Sequence, residues 1–301
     1  MRNRIMYKTA AEQFITGRSM DCQDPSATTR IMVYPRGLAQ NGGSMENALT
    51  WTAKYGSIFS SFYDGATADG MNECGFVANI LKCAESDFGD VTLSDKPRLS
   101  LTAWSQYFLD NFSTVEEALV AMQDPGFVIH SPVLPNGKKA TVYLAISDTG
   151  GNAAVLEYVQ GNLVIQQERR AVNSATAVDK LNAIDKYWEL AGSEEVKGVD
   201  FPLSIKKPDD FSIMRAIGRA QRWTDPDHPS ISATLRYTQV DHAAKRYYFE
   251  STFETAVCWL DMESVNIEAG ASLMGVEIKQ GESLVGDISS KLVPMKQLNW
   301  L

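Results

Sequence analysis

The chain has 301 residues, of which 44% are hydrophobic and 22% are charged, so it is long enough to bury a large core and its composition argues against disorder. Its net charge of -9 argues against nucleic acid or an anionic membrane as the main partner, because both select for basic patches. No apolar run reaches the roughly 18 residues that a membrane-spanning helix needs.

The first third of the chain has the pattern of short β-strands. Two apolar runs that flank a polar segment predict a hairpin near the N-terminus. Asp69-Gly70 and Asn72–Gly75 are predicted to be turns, since Asp, Asn and Gly punctuate strands. The predicted strands are Arg4–Tyr7, Phe14–Arg18, Thr29–Tyr34, two strands within Leu49–Phe62, and Phe76–Leu81.

Helical and strand patterns alternate along the rest of the chain. Apolar residues at helical spacing predict Ser100–Phe112, Val115–Met122, Ala177–Ala191 and Asp209–Gln221. Alternating patterns predict strands at Ala140–Ser147, Ala153–Val159, Leu163–Gln166, Leu235–Val240, Arg246–Phe253 and Val257–Asp261. Ala269–Ser283 is polar and glycine-rich, and only weak strands are expected after it. The order β, α, β, α, β favours a layered α+β domain over a doubly wound sheet.

Cofactor and metal motifs are missing from the sequence. No glycine-rich phosphate loop follows a predicted strand. The four cysteines and three histidines do not have zinc spacing, and buried free thiols are the simplest interpretation. We therefore predict no cofactor and no metal. The N-terminal segment lacks the apolar region of a secretory signal, which leaves a cytoplasmic location and an export leader removed from this chain as alternatives. The four cysteines are Cys22, Cys74, Cys83 and Cys258, and the three histidines are His130, His228 and His242.

Eight ordered segments resemble the choloylglycine hydrolase family, which comprises bile salt hydrolases and penicillin V acylases. The family's R-[ST]-M-D segment is matched by Arg18–Asp21, and its W-T-[SA]-K-Y-G-S segment by Trp51–Ser57. The other matches are Val33–Gly37, Asp69–Asn79, Trp104–Ala118, Ala154–Tyr158, Asn173-Ser174 and Asp241–Ser251. The resemblance is closest to the Gram-negative penicillin V acylase branch.

The resemblance implies one N-terminal-nucleophile hydrolase domain over residues 1–301, with a four-layer αββα sandwich. It also implies a small amide or acyl ligand and a homo-oligomer, commonly a tetramer. In the family, an N-terminal cysteine attacks a linear amide and its own α-amino group serves as the base. Arg18 matches the arginine beside the thiolate, Asp21 the aspartate that holds the amino group, and Asn173 the oxyanion asparagine. Asn173 could instead cap a helix that starts near Ala175.

The sequence departs from the family at the nucleophile. The family's C-T-R-x-x-Y strand is matched by Arg2-Asn3-Arg4-Ile5-Met6-Tyr7, which places Arg2 where the cysteine should be. Removal of Met1 does not supply a nucleophile, because a guanidinium stays protonated at any working pH.

Substrate-side positions differ too. Asn79, Cys22 and Lys82 fall on substrate-binding segments, although Cys22 replaces an aromatic residue and Lys82 an uncharged one. Cys22 is more simply a packed thiol, and Lys82 either lines the pocket or is solvated. A second family arginine has no clear match, and Arg215 or Arg219 are the candidates to substitute for it.

Three hypotheses follow from these departures. The chain is a catalytically impaired relative that binds an amide-like or acyl ligand. Alternatively, it is an active amidase with another N-terminus or a substitute nucleophile. The third hypothesis is a structural role in an oligomer.

Overall fold

A computed structural model describes residues 4–8, 13–22, 27–83, 85–134, 137, 139–168, 233–251, 256–279 and 281–301. The helices are α1 (Trp104–Asn111) and α2 (Val115–Ala121). The strands are β1 (Arg4–Lys8), β2 (Phe14–Cys22), β3 (Thr29–Tyr34), β4 (Ala39–Asn41), β5 (Thr50–Thr52), β6 (Ser57–Phe62), β7 (Ala66–Asn72), β8 (Val77–Lys82), β9 (Arg98–Ser100), β10 (Val128–His130), β11 (Val142–Ser147), β12 (Ala153–Val159), β13 (Asn162–Glu168), β14 (Ala233–Asp241), β15 (Arg246–Ser251), β16 (Val257–Asp261), β17 (Met274–Ile278), β18 (Gly286–Asp287) and β19 (Val293–Pro294).

Two large sheets contain most of these strands. The nine-stranded sheet has the order β13-β12-β11-β8-β7-β6-β3-β17-β19, and the six-stranded sheet has the order β1-β2-β14-β15-β16-β18. In the six-stranded sheet, β14 pairs antiparallel with β2 although more than 200 residues separate them in sequence. The pairs β4-β5 and β9-β10 form two small additional sheets.

The two large sheets pack face to face. Alternate residues of the nine-stranded sheet, including Ile31, Ile58 and Val77, form one buried cluster with Tyr247 and Leu260 of the six-stranded sheet. Because successive side chains of a strand point to opposite faces, the intervening residues of the nine-stranded sheet face the other way. The described residues therefore form a sandwich of two sheets.

The helices cover the outer face of the nine-stranded sheet. Trp104 and Phe108 of α1 are buried against Met32 and Phe59 on that face. Leu101, Trp104, Phe108 and Phe112 are all at most 5% exposed, which confirms the apolar face that the sequence predicts. The hydroxyl of Thr114 accepts a hydrogen bond from the amide of Glu117 at 3.2 Å, as expected of an N-terminal cap for α2.

Most predicted strands are confirmed to within a few residues. β3, β12 and β16 have the predicted bounds, and β1 and β2 form the predicted antiparallel hairpin, in which Arg4 lies opposite Arg18. The meander β11-β12-β13 is also as predicted. The predicted helices Ala177–Ala191 and Asp209–Gln221 lie outside the described residues.

One sequence prediction is wrong, and one strand lies where the composition gave little sign of it. Asp69-Gly70 is not a turn but the middle of β7, where a Cβ on Gly70 would lie 2.5 Å from the Cβ of Phe59. The glycine is therefore needed for close packing and not for a reversal of the chain. The polar segment Ala269–Ser283 contains β17, which pairs with β3 and β19 inside the nine-stranded sheet. Its partners, and not its own composition, make it a strand.

Candidate functional site

Two arginines lie opposite each other between the sheets. The β1-β2 register pairs Arg4 with Arg18, so their side chains leave the sheet on the same face. Both residues are 1% exposed. Each guanidinium reaches the nine-stranded sheet, where its hydrogen-bond partners lie, and the strand pairing thus places two cations in the core of the sandwich.

Arg18 forms an ion pair with Asp69. Its Nη1 donates to Asp69 Oδ2, and its Nη2 donates to the carbonyl of Ile80 at 2.7 Å. The hydroxyl of Tyr247 donates to the other carboxylate oxygen, Asp69 Oδ1. Burial, followed by the neighbouring Asp69 charge, raises the pKa of Tyr247 well above its usual range, so this phenol stays protonated and serves as a donor. Contacts from three strands, β7, β8 and β15, thus hold the Arg18–Asp69 pair.

Arg4 has neutral partners. Its Nε donates to Asn79 Oδ1 at 2.5 Å, and its Nη2 donates to Ser147 Oγ at 2.6 Å. Burial lowers the pKa of Arg4 to about 9, Tyr143 opposes that effect, and the neighbouring Arg18 adds to it. The buried environment of the Arg4 guanidinium therefore disfavours its charged form. We call Arg4, Arg18, Asp69, Asn79 and Tyr247 the arginine cluster.

A chain of hydrogen bonds links Arg4 to a buried histidine. His242 Nδ1 lies 2.7 Å from the carbonyl of Gly75, which can only accept, so Nδ1 carries the proton. Nε2 then accepts from the hydroxyl of Thr16 at 2.7 Å, and Thr16 Oγ1 lies 2.9 Å from Ser147 Oγ. Each group from Arg4 to Gly75 can donate to the next, and the chain is satisfied only while His242 is neutral.

The structure brings two of the predicted site residues together. Arg18 and Asn79 both belong to the arginine cluster, although the Asn79 oxygen accepts from Arg4. The backbone of Asp21 pairs with Thr234.

For the other predicted site residues, the structure gives a strand position only, or they lie outside the described residues. The backbone of Cys22 pairs with Ala233. Lys82 ends β8 with an exposed side chain. Arg2, Asn173, Arg215 and Arg219 lie outside the described residues.

Sequence reasoning missed several members of this network, including Thr16. Asp69, Tyr247 and His242 lie inside segments that match the family, but the motifs alone do not indicate what these side chains contact. Ser147 lies in a predicted strand whose alternation gave no sign of a polar contact. The signal that identifies them is structural: Asp69 and Ser147 are both 0% exposed, and buried polar groups require partners, but this burial is not visible in the sequence.

The described residues contain neither a metal cluster nor a membrane-spanning helix. Within these ranges, no group of three or more His, Cys, Asp or Glu side chains is placed to hold a metal ion. In the same part of the chain, no helix combines the length and the apolar character needed to cross a bilayer.

Comparisons with known proteins agree with this architecture. The family described as linear amide C-N hydrolases, choloylglycine hydrolase family, matches residues 3–195. A penicillin V acylase of Pectobacterium atrosepticum is 31% identical over 313 residues, which cover 90% of this chain and 83% of that protein.

Solved structures give the same result. A penicillin V acylase from Agrobacterium tumefaciens has a TM-score of 0.82 and 32% identity, covering 100% of this chain and 99% of the other. A conjugated bile acid hydrolase mutant from Clostridium perfringens has a TM-score of 0.69 at 18% identity, covering 94% and 99%, which is a likeness of fold alone. From the family match and the two acylases, the chain belongs to the choloylglycine hydrolase family of linear amide C-N hydrolases.

Proposed function

We propose that this chain is a family member whose amide hydrolysis is impaired and which binds an amide-like or acyl small molecule. The observation that carries the proposal is Arg2, two residues before Arg4 and at the position of the family's cysteine. Covalent amide hydrolysis needs a nucleophile next to a base, and loss of the nucleophile costs orders of magnitude in rate. An arginine supplies neither a lone pair for attack nor a leaving thiolate.

The rest of the first strand and its neighbour supports binding over loss of the site. Arg4 and Arg18 pair across β1 and β2, and Arg18 forms an ion pair with Asp69 and a hydrogen bond to the Ile80 carbonyl. A chain that had lost all use for the site would not be expected to retain a buried cation there, since such a charge is costly unless it is paired.

The substrate class comes from the relatives. The two most informative matches are penicillin V acylases, so penicillin V and related phenoxyacetyl amides are the first ligands to test. The proposal extends the relatives' substrate chemistry to this chain as a binding preference and not as turnover.

A hydrolysis assay tests the loss of catalysis. Purified protein is incubated with penicillin V, a conjugated bile salt or an acyl-homoserine lactone, and the released amine is measured. We expect release at the background rate with all three. Release that is abolished by a thiol-specific reagent would contradict the proposal and favour the alternative of a substitute nucleophile or another N-terminus.

A rescue variant tests how much of the site remains. Arg2→Cys, with loss of Met1 verified by mass spectrometry, restores the family's N-terminal cysteine. Arg2→Ala is the matched control, because it removes the same guanidinium without adding a thiol. Activity in Arg2→Cys alone would show that the remaining site is competent. If both stay inactive, Arg18 and Asp21 do not suffice, and the unmatched second arginine becomes the next position to restore.

Binding is measured separately by calorimetry with penicillin V and the wild-type chain. We expect saturable binding, since the proposal keeps the ligand site. Failure to bind any amide or acyl probe would favour the structural role in an oligomer.

We also propose that the chain is one domain over residues 1–301, completes a four-layer αββα sandwich and assembles as a homo-oligomer, commonly a tetramer in this family. Light scattering coupled to size exclusion measures the assembly, and a monomer at micromolar concentration would contradict it.

A further inference from the structure

The arginine cluster has an excess of positive charge. Arg4 and Arg18 are direct cross-strand neighbours, an arrangement in which like charges repel. Among the side chains that the structure describes, Asp69 is the one acid in salt-bridge contact with either guanidinium. The two buried cations, each 1% exposed, are therefore accompanied by a single carboxylate, which is bonded to Arg18 alone of the two.

Each oxygen of the Asp69 carboxylate is bonded to a partner other than Arg4. Oδ2 accepts from Arg18 and Oδ1 accepts from Tyr247. Arg4 instead donates to the neutral oxygens of Asn79 and Ser147. The positive charge of Arg4 is thus hydrogen-bonded but not neutralised, and burial with the adjacent Arg18 lowers its pKa to about 9.

Two buried donors in the cluster lack acceptors. Neither Arg4 Nη1 nor Arg18 Nε has a hydrogen-bond partner within the described part of the chain. Buried donors are nearly always bonded, and an orphaned charged donor is more costly than a neutral one. Because Arg4 and Arg18 lie opposite each other across β1 and β2, one additional negative acceptor between the two side chains would give these donors a partner and would balance the excess of one positive charge.

We propose that the arginine cluster binds one small monovalent anion, a halide or a simple carboxylate, through Arg4 Nη1 and Arg18 Nε. The single excess charge favours a monovalent ion over a divalent one. Complete burial of both arginines favours a small ion over a large organic acid. The site is independent of whether amide hydrolysis is lost, since it uses residues of the strand pair and requires no nucleophile.

Thermal unfolding of the full chain tests the anion site. The protein is melted at constant ionic strength in sodium gluconate, into which chloride, formate or sulfate is titrated. For a dissociation constant of about 10 mM, we expect a saturable rise in Tm of about 3 °C at about 200 mM chloride or formate. Sulfate should give no saturable rise. The ion of higher affinity identifies whether a halide or a carboxylate is preferred.

Two charge-removing variants provide the comparison. Arg4→Gln should abolish the saturable rise, because it removes the excess charge and one orphaned donor. Arg30→Gln removes the same charge from a half-buried ion pair with Asp64, which lies 3.2 Å away, and should keep the rise. The proposal would be overturned if Tm rose equally in both variants. It would also be overturned if Tm rose linearly with anion concentration and by the same amount for every anion.

Chlorine NMR of the wild-type protein tests the anion site independently of whether Arg4→Gln folds. Wild-type protein should broaden the chloride resonance, and added formate should reverse the broadening by competing for the same donors. Arg4→Lys, which keeps the charge but alters the donor geometry, should weaken the effect several-fold. The absence of broadening by wild-type protein would overturn the proposal, and so would broadening that formate leaves unchanged. Neither readout depends on enzymatic turnover.

Discussion

Protonation of His242 should destabilise the fold below neutral pH. The histidine is 1% exposed, and burial lowers its pKa to about 4 from an ordinary value of 6.5, with Arg4 acting in the same direction and the Gly75 carbonyl and Asp148 opposing it. The unfolded chain therefore takes up a proton first as the pH falls. The stabilisation from a neutral His242 is complete above about pH 6.5 and is lost progressively between about pH 6.5 and pH 4.

The size of the effect follows from the same difference in pKa. The difference in the pKa of His242 between the folded and the unfolded chain corresponds to about 3 kcal/mol of the free energy of unfolding. About 2 kcal/mol of this should be lost between pH 7 and pH 4.5. Urea denaturation at the two pH values measures the free energy of unfolding. Carboxylates also titrate in this range. The test is therefore the difference in the pH dependence of the free energy of unfolding between the wild type and a variant that lacks the His242 imidazole.

His242→Asn is the informative variant. An asparagine amide can replace Nδ1 as the donor to Gly75, but it carries no proton-dependent charge. At pH 7 the free energy of unfolding of the variant should be about 1 kcal/mol lower than that of the wild type, because Thr16 loses its acceptor. Between pH 7 and pH 4.5 the free energy of unfolding of the variant should then fall by about 2 kcal/mol less than that of the wild type. His130→Asn, at a more exposed histidine, should keep most of the wild-type loss. Parallel pH profiles for His242→Asn and the wild type would refute the reasoning.

Three further substitutions test the packing around the site. Asp69→Asn should lower the free energy of unfolding by about 3–5 kcal/mol, because it leaves the Arg18 charge buried without a counter-ion; chemical denaturation measures this loss, and a loss below about 1 kcal/mol would argue against the pair. Phe108→Ala should lower the free energy of unfolding by about 3–5 kcal/mol, because it leaves a cavity in the core; calorimetric unfolding measures this loss. Gly75→Ala should be strongly destabilising, because its φ is +77° and its Cβ would lie 2.7 Å from the His242 carbonyl oxygen; an unchanged Tm would contradict this packing.

Local pattern was sufficient to predict much of the fold. The hairpin of β1 and β2 and the meander of β11 to β13 were predictable, because each strand pairs with its neighbour in sequence and turn residues separate them. The insertion of β14 beside β2 and of β17 beside β3 was not, since these pairings depend on the packing of distant segments.

The site was predictable only in part, and for a related reason. Arg18 and Asn79 were identified from family motifs. The Asp69 partner of Arg18 was missed, since an Asp-Gly pair in isolation favours a turn. That pair becomes part of a strand only when Gly70 is pressed against Phe59, which is a fact of tertiary packing.

The placement of β1 has a consequence for its dynamics. Within the described ranges, β1 exchanges backbone hydrogen bonds with β2 alone, an arrangement that normally allows a terminal strand to fray. Arg4, however, bonds to Asn79 on β8 and Ser147 on β11, both in the opposite sheet. Peeling β1 away must therefore break contacts across the interior, and its amide hydrogens should exchange with solvent only when the sandwich itself opens.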